Sequence, residues 1–244
     1  MKVNIFESPE ETLEKLAEFF ITVARQFIAG RQKFSVALSG GSSPKKLYEI
    51  LAANYKKAIN WSQVYFFFGD ERYVPKTDAD SNFLMAKKAL FDPLGISETQ
   101  IFAVDTSAEP AVAAKKYAEV LNDFFKGQDV RLDLVLLGLG DNSHTASLFP
   151  HTNVLYDEAP SVKEVFLKEQ KVYRITLNAP LINQAHHIAF LVYGEGKAEA
   201  VQHILEDDKD INDYPAQLIN PVNGDLQWFL DNAAASDLNN ADFI

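Results

Sequence analysis

Residues 33–51, KFSVALSGGSSPKKLYEIL, pass from a short apolar run through a loop of glycine and serine into a lysine-led helical stretch. Valine and aromatic residues suit a pleated surface, and glycine and serine suit turns. KKLYEILAANYKKA then reads as a helix. The resulting order is strand, polar loop, helix.

The same order recurs along the chain. VYFFF at 64–68 leads into GDERYVPKTDADSN and then the helical FLMAKKALF. LDLVLLGLG at 132–140 leads into DNSHTASLFP, and HIAFLVYG at 187–194 leads into EGKAEAVQHILE. These strands carry hardly any alternating polar positions, which marks a sheet covered on both faces. The predicted fold class is α/β: a single doubly wound, mostly parallel sheet with helices on both faces.

Around this frame, apolar residues at Leu13, Leu16, Ala17, Phe20, Ile21, Ala24, Phe27 and Ile28 predict an amphipathic helix over 10–28, stopped by Gly30. Pro44 is the expected first residue of the next helix. Residues 151–170 show little periodicity and read as irregular, and KVYRITL at 171–177 reads as a short strand. In 214–235, YPAQLINPVNGDLQWFLDNAAA, two prolines and a turn precede an apolar pattern read as a docking helix. The final SDLNNADFI, 236–244, reads as a lightly attached tail. No linker or repeat divides the chain, so residues 1–244 are expected to form a single domain.

The chain has 244 residues, 47% of them hydrophobic and 23% charged, which is the composition of a globular protein. Its net charge of -11 argues against nucleic-acid binding, which needs a basic face to neutralise phosphates. A small anionic substrate is still compatible, because a few local cations and N–H groups can make a positive pocket on an acidic body. The absence of cysteine excludes disulfides, thiolate metal sites and cysteine nucleophiles. The opening MKVNIFESPEETLEKL lacks the basic flank and apolar core of a secretory signal, and no run approaches the roughly 18 apolar residues of a membrane span. A cytoplasmic location, with no membrane partner, is expected.

In a doubly wound sheet, ligands bind where loops converge outside the carboxyl ends of the strands. Ser39, Gly40, Gly41, Ser42 and Ser43 make either a phosphate cradle at a helix N-terminus or an ordinary capped turn. Asp70, Glu71 and Arg72 make either a solvated turn or an arginine fork for phosphate or carboxylate, held by its acidic neighbours. His144, expected at a helix start among small residues, is a candidate base, since helix-end potential disfavours imidazolium. Lys197, at another helix start, and Arg174 could each be ordinary surface charges. The fold reading brings all of them to one rim, and that convergence favours an anion site. No His, Asp and Glu spacing suits a metal, and none is expected. GLGDNS has Ser143 where a dinucleotide fingerprint has its third glycine, which argues against a nicotinamide site.

Taken together, VALSGGSSPKKLYEIL, FFGDERYVPKTDADSN, LGLGDNSHTASLFP, RITLNAPLIN, FLVYGEGKAEAV and GDLQWFLDNAA resemble the 6-phosphogluconolactonase family over most of the chain. The resemblance implies a glucosamine-6-phosphate deaminase-like fold, no cofactor, and hydrolysis of 6-phospho-D-glucono-1,5-lactone to 6-phosphogluconate. It puts the catalytic base on His144. The phosphosugar contacts fall on the loop Ser39–Ser43 with Asp70, Arg72, Asn142, Arg174 and Lys197. The family commonly has aspartate and glycine before this histidine; here Asn142 and Ser143 stand there, and the nearest carboxylate is Asp141. Two other functions remain open, a glucosamine-6-phosphate deaminase-like isomerase and a non-catalytic phosphosugar-binding protein. The first typically carries DEY and GHIAFNEP where this chain has DERYVP and SHTASLFP.

Overall fold

The computed structural model of the chain describes residues 1–239. Its strands are β1 (Lys2–Phe6), β2 (Phe34–Leu38), β3 (Val64–Phe68), β4 (Asp70–Arg72), β5 (Leu134–Leu137), β6 (Val162–Leu167), β7 (Val172–Leu177), β8 (His187–Val192) and β9 (Asp225–Asp231). Six of them form one sheet in the order β1-β9-β8-β5-β2-β3, and every neighbouring pair is parallel. The other three, β4-β7-β6, form a small antiparallel sheet. The helices are α1 (Pro9–Arg31), α2 (Ser42–Asn54), α3 (Asn82–Ala86), α4 (Asp92–Leu94), α5 (Pro110–Phe124), α6 (Ala179–Ile182) and α7 (Ala198–Leu205). The expected doubly wound class is the observed one.

Strand pleating divides the interior into two cores. Val36 and Leu38 of β2, with Leu134 and Leu136 of β5, pack on α1 and α2. Ala37, Val135 and Leu137, pointing the other way, pack with α5, α7 and the small sheet. With both faces covered, β2 and β5 are buried along their whole lengths, which is why no polar alternation shows in their sequences.

The chain leaves β2 for α2 on one face. It leaves β5 for the opposite face, where Leu148, Val154 and Leu155 join the second core. Because β2 and β5 are neighbours, their following loops part at a topological switch point, and a crevice opens between them.

Several local expectations are corrected. The apolar run after the last turn is not a helix: it is β9, inserted between β1 and β8. Trp228 stacks on Phe190 on one face, with centroids 3.9 Å apart, while Phe229 packs against Phe19 and Phe6 on the other. A short run buried on both sides has no period that separates strand from helix. Residues 151–170 are not wholly irregular, because Val162, Val165 and Leu167 of β6 turn inward as β6 pairs with β7. Gly30 lies inside α1, which ends at Arg31 with Gln32 at φ 61°. The next helix starts at Ser42, two residues before Pro44. The described part of the tail docks, since Leu238 is buried and the Asn239 N–H donates to Glu206; residues 240–244 lie outside the described residues. Among the described residues no helix is long and apolar enough to cross a membrane.

Candidate active site

The loops after β2, β5 and β8, together with the β4–β7 ladder, enclose a cleft of about 270 Å³ at the switch point. Ser39, Gly40, Gly41, Ser42, Ser43, Asp70, Arg72, His144, Arg174 and Lys197 all line it. Of the residues expected there, only Asn142 does not.

The serine-glycine loop is anchored from below. The buried Tyr48 hydroxyl accepts from the Ser39 N–H at 2.9 Å and donates to the Ser39 carbonyl at 2.8 Å, so a side chain of α2 satisfies both polar groups where β2 ends. Gly41 then takes φ 104°, a conformation that favours glycine, and leads into α2 with its free N–H groups facing the cleft end of the sheet.

His144 is not at a helix start. It closes a tight turn in which Gly140 N–H donates to the His144 carbonyl at 2.8 Å and Ser143 N–H donates to the Gly140 carbonyl at 3.0 Å. Ser143 holds φ 59° and Ala146 φ 48°, both left-handed. The imidazole folds over Gly140 so closely that a Cβ there would meet Nδ1 at 2.0 Å. Phe149 stacks on its face, with centroids 4.0 Å apart.

Asn142 stands behind the ring, with Oδ1 2.5 Å from Nδ1. An amide oxygen only accepts, so this contact puts the proton on Nδ1 and leaves the lone pair on Nε2. Asn142 therefore bonds the histidine from outside the cleft lining. Burial lowers the His144 pKa to about 4; Lys197, Arg174 and Arg72 push it the same way, and Asp141 opposes them. The ring is neutral at pH 7, as expected, but burial and cations account for this and a helix dipole does not.

The cations reach the cleft from separate elements. Lys197 begins the turn into α7, and its Nζ donates to the Leu139 carbonyl at 2.7 Å and pairs with Asp141 at 2.5 Å. Asp141 thus serves the lysine and does not replace the missing carboxylate on His144. Arg72 and Arg174 are cross-strand neighbours in the β4–β7 ladder, and neither is in an ion pair among the described residues.

The acids beside Arg72 are not solvated. Glu71 is buried and accepts from the N–H groups of Asn82 and Phe83, capping α3. Burial raises its pKa against the pull of those N–H groups. Asp70 is also buried and takes the Ser147 hydroxyl at 2.6 Å on Oδ2. Burial pushes the Asp70 carboxyl up, opposed by Ser147, Arg72 and Arg174.

Tyr48, Asn82, Ser147 and Phe149 were not among the expected site residues. All four lie in the quoted blocks, Tyr48 in VALSGGSSPKKLYEIL, Asn82 in TDADSN, and Ser147 and Phe149 in TASLFP, so position in a block was the available signal. By residue type alone Tyr48 and Phe149 read as core.

Residues 7–228 match the family of glucosamine-6-phosphate isomerases/6-phosphogluconolactonase. A 6-phosphogluconolactonase of Nostoc sp. is 39% identical over 98% of this chain and 99% of its own. One from Synechocystis sp. is 39% identical over 97% and 98%. The solved structure of 6-phosphogluconolactonase from Trypanosoma cruzi superposes with a TM-score of 0.87 at 28% identity, covering 98% of this chain and 97% of that one. With the family matched over residues 7–228 and relatives 39% identical over nearly the whole chain, the chain belongs to the family of glucosamine-6-phosphate isomerases and 6-phosphogluconolactonases.

Proposed function

We propose that the protein is a 6-phosphogluconolactonase, a single domain over residues 1–244 that hydrolyses 6-phospho-D-glucono-1,5-lactone to 6-phospho-D-gluconate in the oxidative pentose phosphate pathway. The observation that carries the reading is a neutral histidine, proton on Nδ1, in a cleft with three cations. Its near full-length relatives named for that reaction support it.

In the proposed mechanism His144 takes a proton from water through Nε2, and the hydroxide attacks the lactone carbonyl. The tetrahedral oxyanion collapses, the C1–O5 bond breaks, and the imidazolium returns its proton to the ring oxygen. Such a base contributes about 10²- to 10⁴-fold. Arg72, Arg174, Lys197 and the N–H groups of Ser39–Ser43 divide between the remote phosphate and the developing oxyanion. Asp70 orients the arginines and the sugar hydroxyls. Water is the only co-reactant, so the scheme needs no metal or cofactor. The net charge of -11 fits a small anionic substrate held by local cations and does not fit nucleic acid. A cytoplasmic location belongs to the same reading.

Lactone hydrolysis by the protein and by His144→Ala, each corrected for the spontaneous reaction, tests it. Equal rates remove His144 from the mechanism. Ammonia release from glucosamine 6-phosphate without faster lactone hydrolysis assigns the chain to the sibling reaction. Binding of 6-phosphogluconate by a protein that does not hydrolyse the lactone leaves a phosphosugar-binding module.

A further inference from the structure

Gly40 is a glycine whose backbone does not require one, because its φ lies outside the left-handed region occupied by Gly41. The constraint comes from a neighbour. A Cβ on Gly40 would meet Asn82 Oδ1 at 2.0 Å, Cγ at 2.5 Å and Nδ2 at 2.7 Å, and these three atoms of one amide are its nearest contacts. Asn82 is itself 2% exposed and does not line the cleft.

The far side of the same amide holds Asp70. Asn82 Nδ2 donates to the Asp70 carbonyl at 2.9 Å and to its Oδ1 at 3.3 Å, while Ser147 holds Oδ2. The Asn82 backbone N–H is fixed in turn by Glu71 at 2.7 Å. One buried amide therefore touches the middle of the anion loop on one side and the cleft-lining carboxylate on the other. Its own position is set by the first turn of α3.

From this juxtaposition we infer that Asn82 is a positioning residue, which sets the separation between the Ser39–Ser43 loop and Asp70 and so matches the cleft to a ligand held at both ends. The inference rests on the proposed lactonase reading for its ligand, but the loop-to-carboxylate coupling is measurable without turnover. Asn82 touches nothing that reacts. Its replacement changes where two cleft groups stand and leaves His144 untouched.

A double-mutant cycle on Gly40 and Asn82 tests this. The readouts are the Kd for 6-phosphogluconate, KM and kcat for the lactone, and Tm. Gly40→Ala alone forces the methyl into the Asn82 amide and is expected to weaken 6-phosphogluconate binding about tenfold or more. In Asn82→Ala the three clashing atoms are gone, so adding Gly40→Ala costs little further. Asn82→Ala alone leaves two buried Asp70 acceptors unpaired and so lowers Tm by several degrees, and it raises KM several-fold more than it lowers kcat. Asn82→Asp keeps the shape but sets a carboxylate against Asp70, and it moves the acid limb of kcat/KM to higher pH.

Equal losses from Gly40→Ala in both backgrounds overturn the inference. Losses that track Tm, with KM and the acid limb unchanged, overturn it as well. If the parent fails to hydrolyse the lactone, the functional reading falls, yet the cycle on 6-phosphogluconate affinity still decides the role of Asn82. If Asn82→Ala does not fold, the inference stands or falls on Asn82→Asp: a KM and an acid limb equal to the parent's sink it.

Discussion

Arg72 and Arg174 stand directly opposite one another on antiparallel β4 and β7, two permanent cations at one rung of a ladder beside the buried Asp70. Like charges facing across a ladder destabilise it by roughly 0.2–1 kcal/mol. Asp70 and the Asp80 carbonyl offset part of that repulsion, and on the proposed lactonase reading an anion between the arginines offsets the rest. Replacing either with alanine is therefore expected to lower kcat/KM about 10- to 100-fold, the size of one charge-assisted contact of roughly 1.5–3 kcal/mol. Tm should stay level or rise by up to about 2–4 °C. A fall in Tm as large as that of a core truncation would make the arginines structural.

The His144 ring gives a pH signature. With its pKa at about 4, kcat/KM should already be flat at pH 6, whereas a solvent-exposed histidine would still be titrating there. Asn142→Asp puts a carboxylate on Nδ1, which favours imidazolium and raises the pKa, so the acid limb should move toward neutrality. Asp70 also titrates in this cleft, but the Asn142 side chain is bonded to His144 while the Asp70 carboxyl is held by Asn82 and Ser147, so the shift on substitution reports the histidine. An acid limb unmoved by Asn142→Asp would mean that His144 does not set it.

Stability carries the same sign. His186 is also lowered to about 4, by burial first and then by Arg131 and Arg31. Between about pH 6.5 and 4 the unfolded chain binds protons at both histidines that the folded chain refuses. Stability is thus undiminished above pH 6.5 and falls as the pH drops through that window. His186→Asn, measured by Tm from pH 4 to 8, should flatten the acid slope; an unchanged slope would remove His186 from the linkage.

Most of the frame was legible because buried parallel strands leave apolar runs with polar segments at their carboxyl ends; ten of the eleven expected site residues line one cleft, Arg174 reaching it from the antiparallel strand β7. β9 was misread because Trp228, Phe229 and Leu230 are buried in succession on both faces, where period carries no information. Asn142 adjoins His144 in sequence, but sequence order does not say on which side of the ring it lies, which is why its place outside the cleft lining was not legible. The neutrality of His144 was expected for the wrong reason: burial under Phe149 and repulsion from Lys197 and Arg174 are long-range effects with no local pattern.

The turn before the histidine yields a two-sided test. Gly140→Ala drives a methyl into Nδ1 of His144, so kcat should fall at least tenfold while phosphate binding changes little. Ser143 sits at φ 59°, where a side chain costs on the order of 1 kcal/mol. Glycine relieves that strain but restores chain entropy worth about 0.4–1 kcal/mol. Ser143→Gly is therefore expected to stay within about 1 kcal/mol of the parent and to keep full activity, whereas Ser143→Val, β-branched in a left-handed position, should destabilise clearly. Equal stability of the two variants would show that the turn opens freely.

Two buried tyrosines anchor strand ends from opposite faces. Tyr48 holds both polar groups of Ser39, and Tyr117 accepts from the Phe68 N–H at 2.7 Å, where β3 ends. Removing either hydroxyl leaves buried backbone groups unpaired, at about 1–3 kcal/mol, or roughly 2–4 °C of Tm per kcal/mol in a chain near this size. Tyr48 lies in one core and Tyr117 in the other, so the losses should add in Tyr48→Phe/Tyr117→Phe. Function separates them. Ser39 opens the anion loop, so Tyr48→Phe should also raise KM for the phosphorylated substrate, while Tyr117→Phe should lower Tm with KM within about twofold. A Tyr48→Phe variant with the parent's KM would show that the loop holds its shape without the anchor, and the N–H groups of α2 would then be organised by Gly41 and the helix alone.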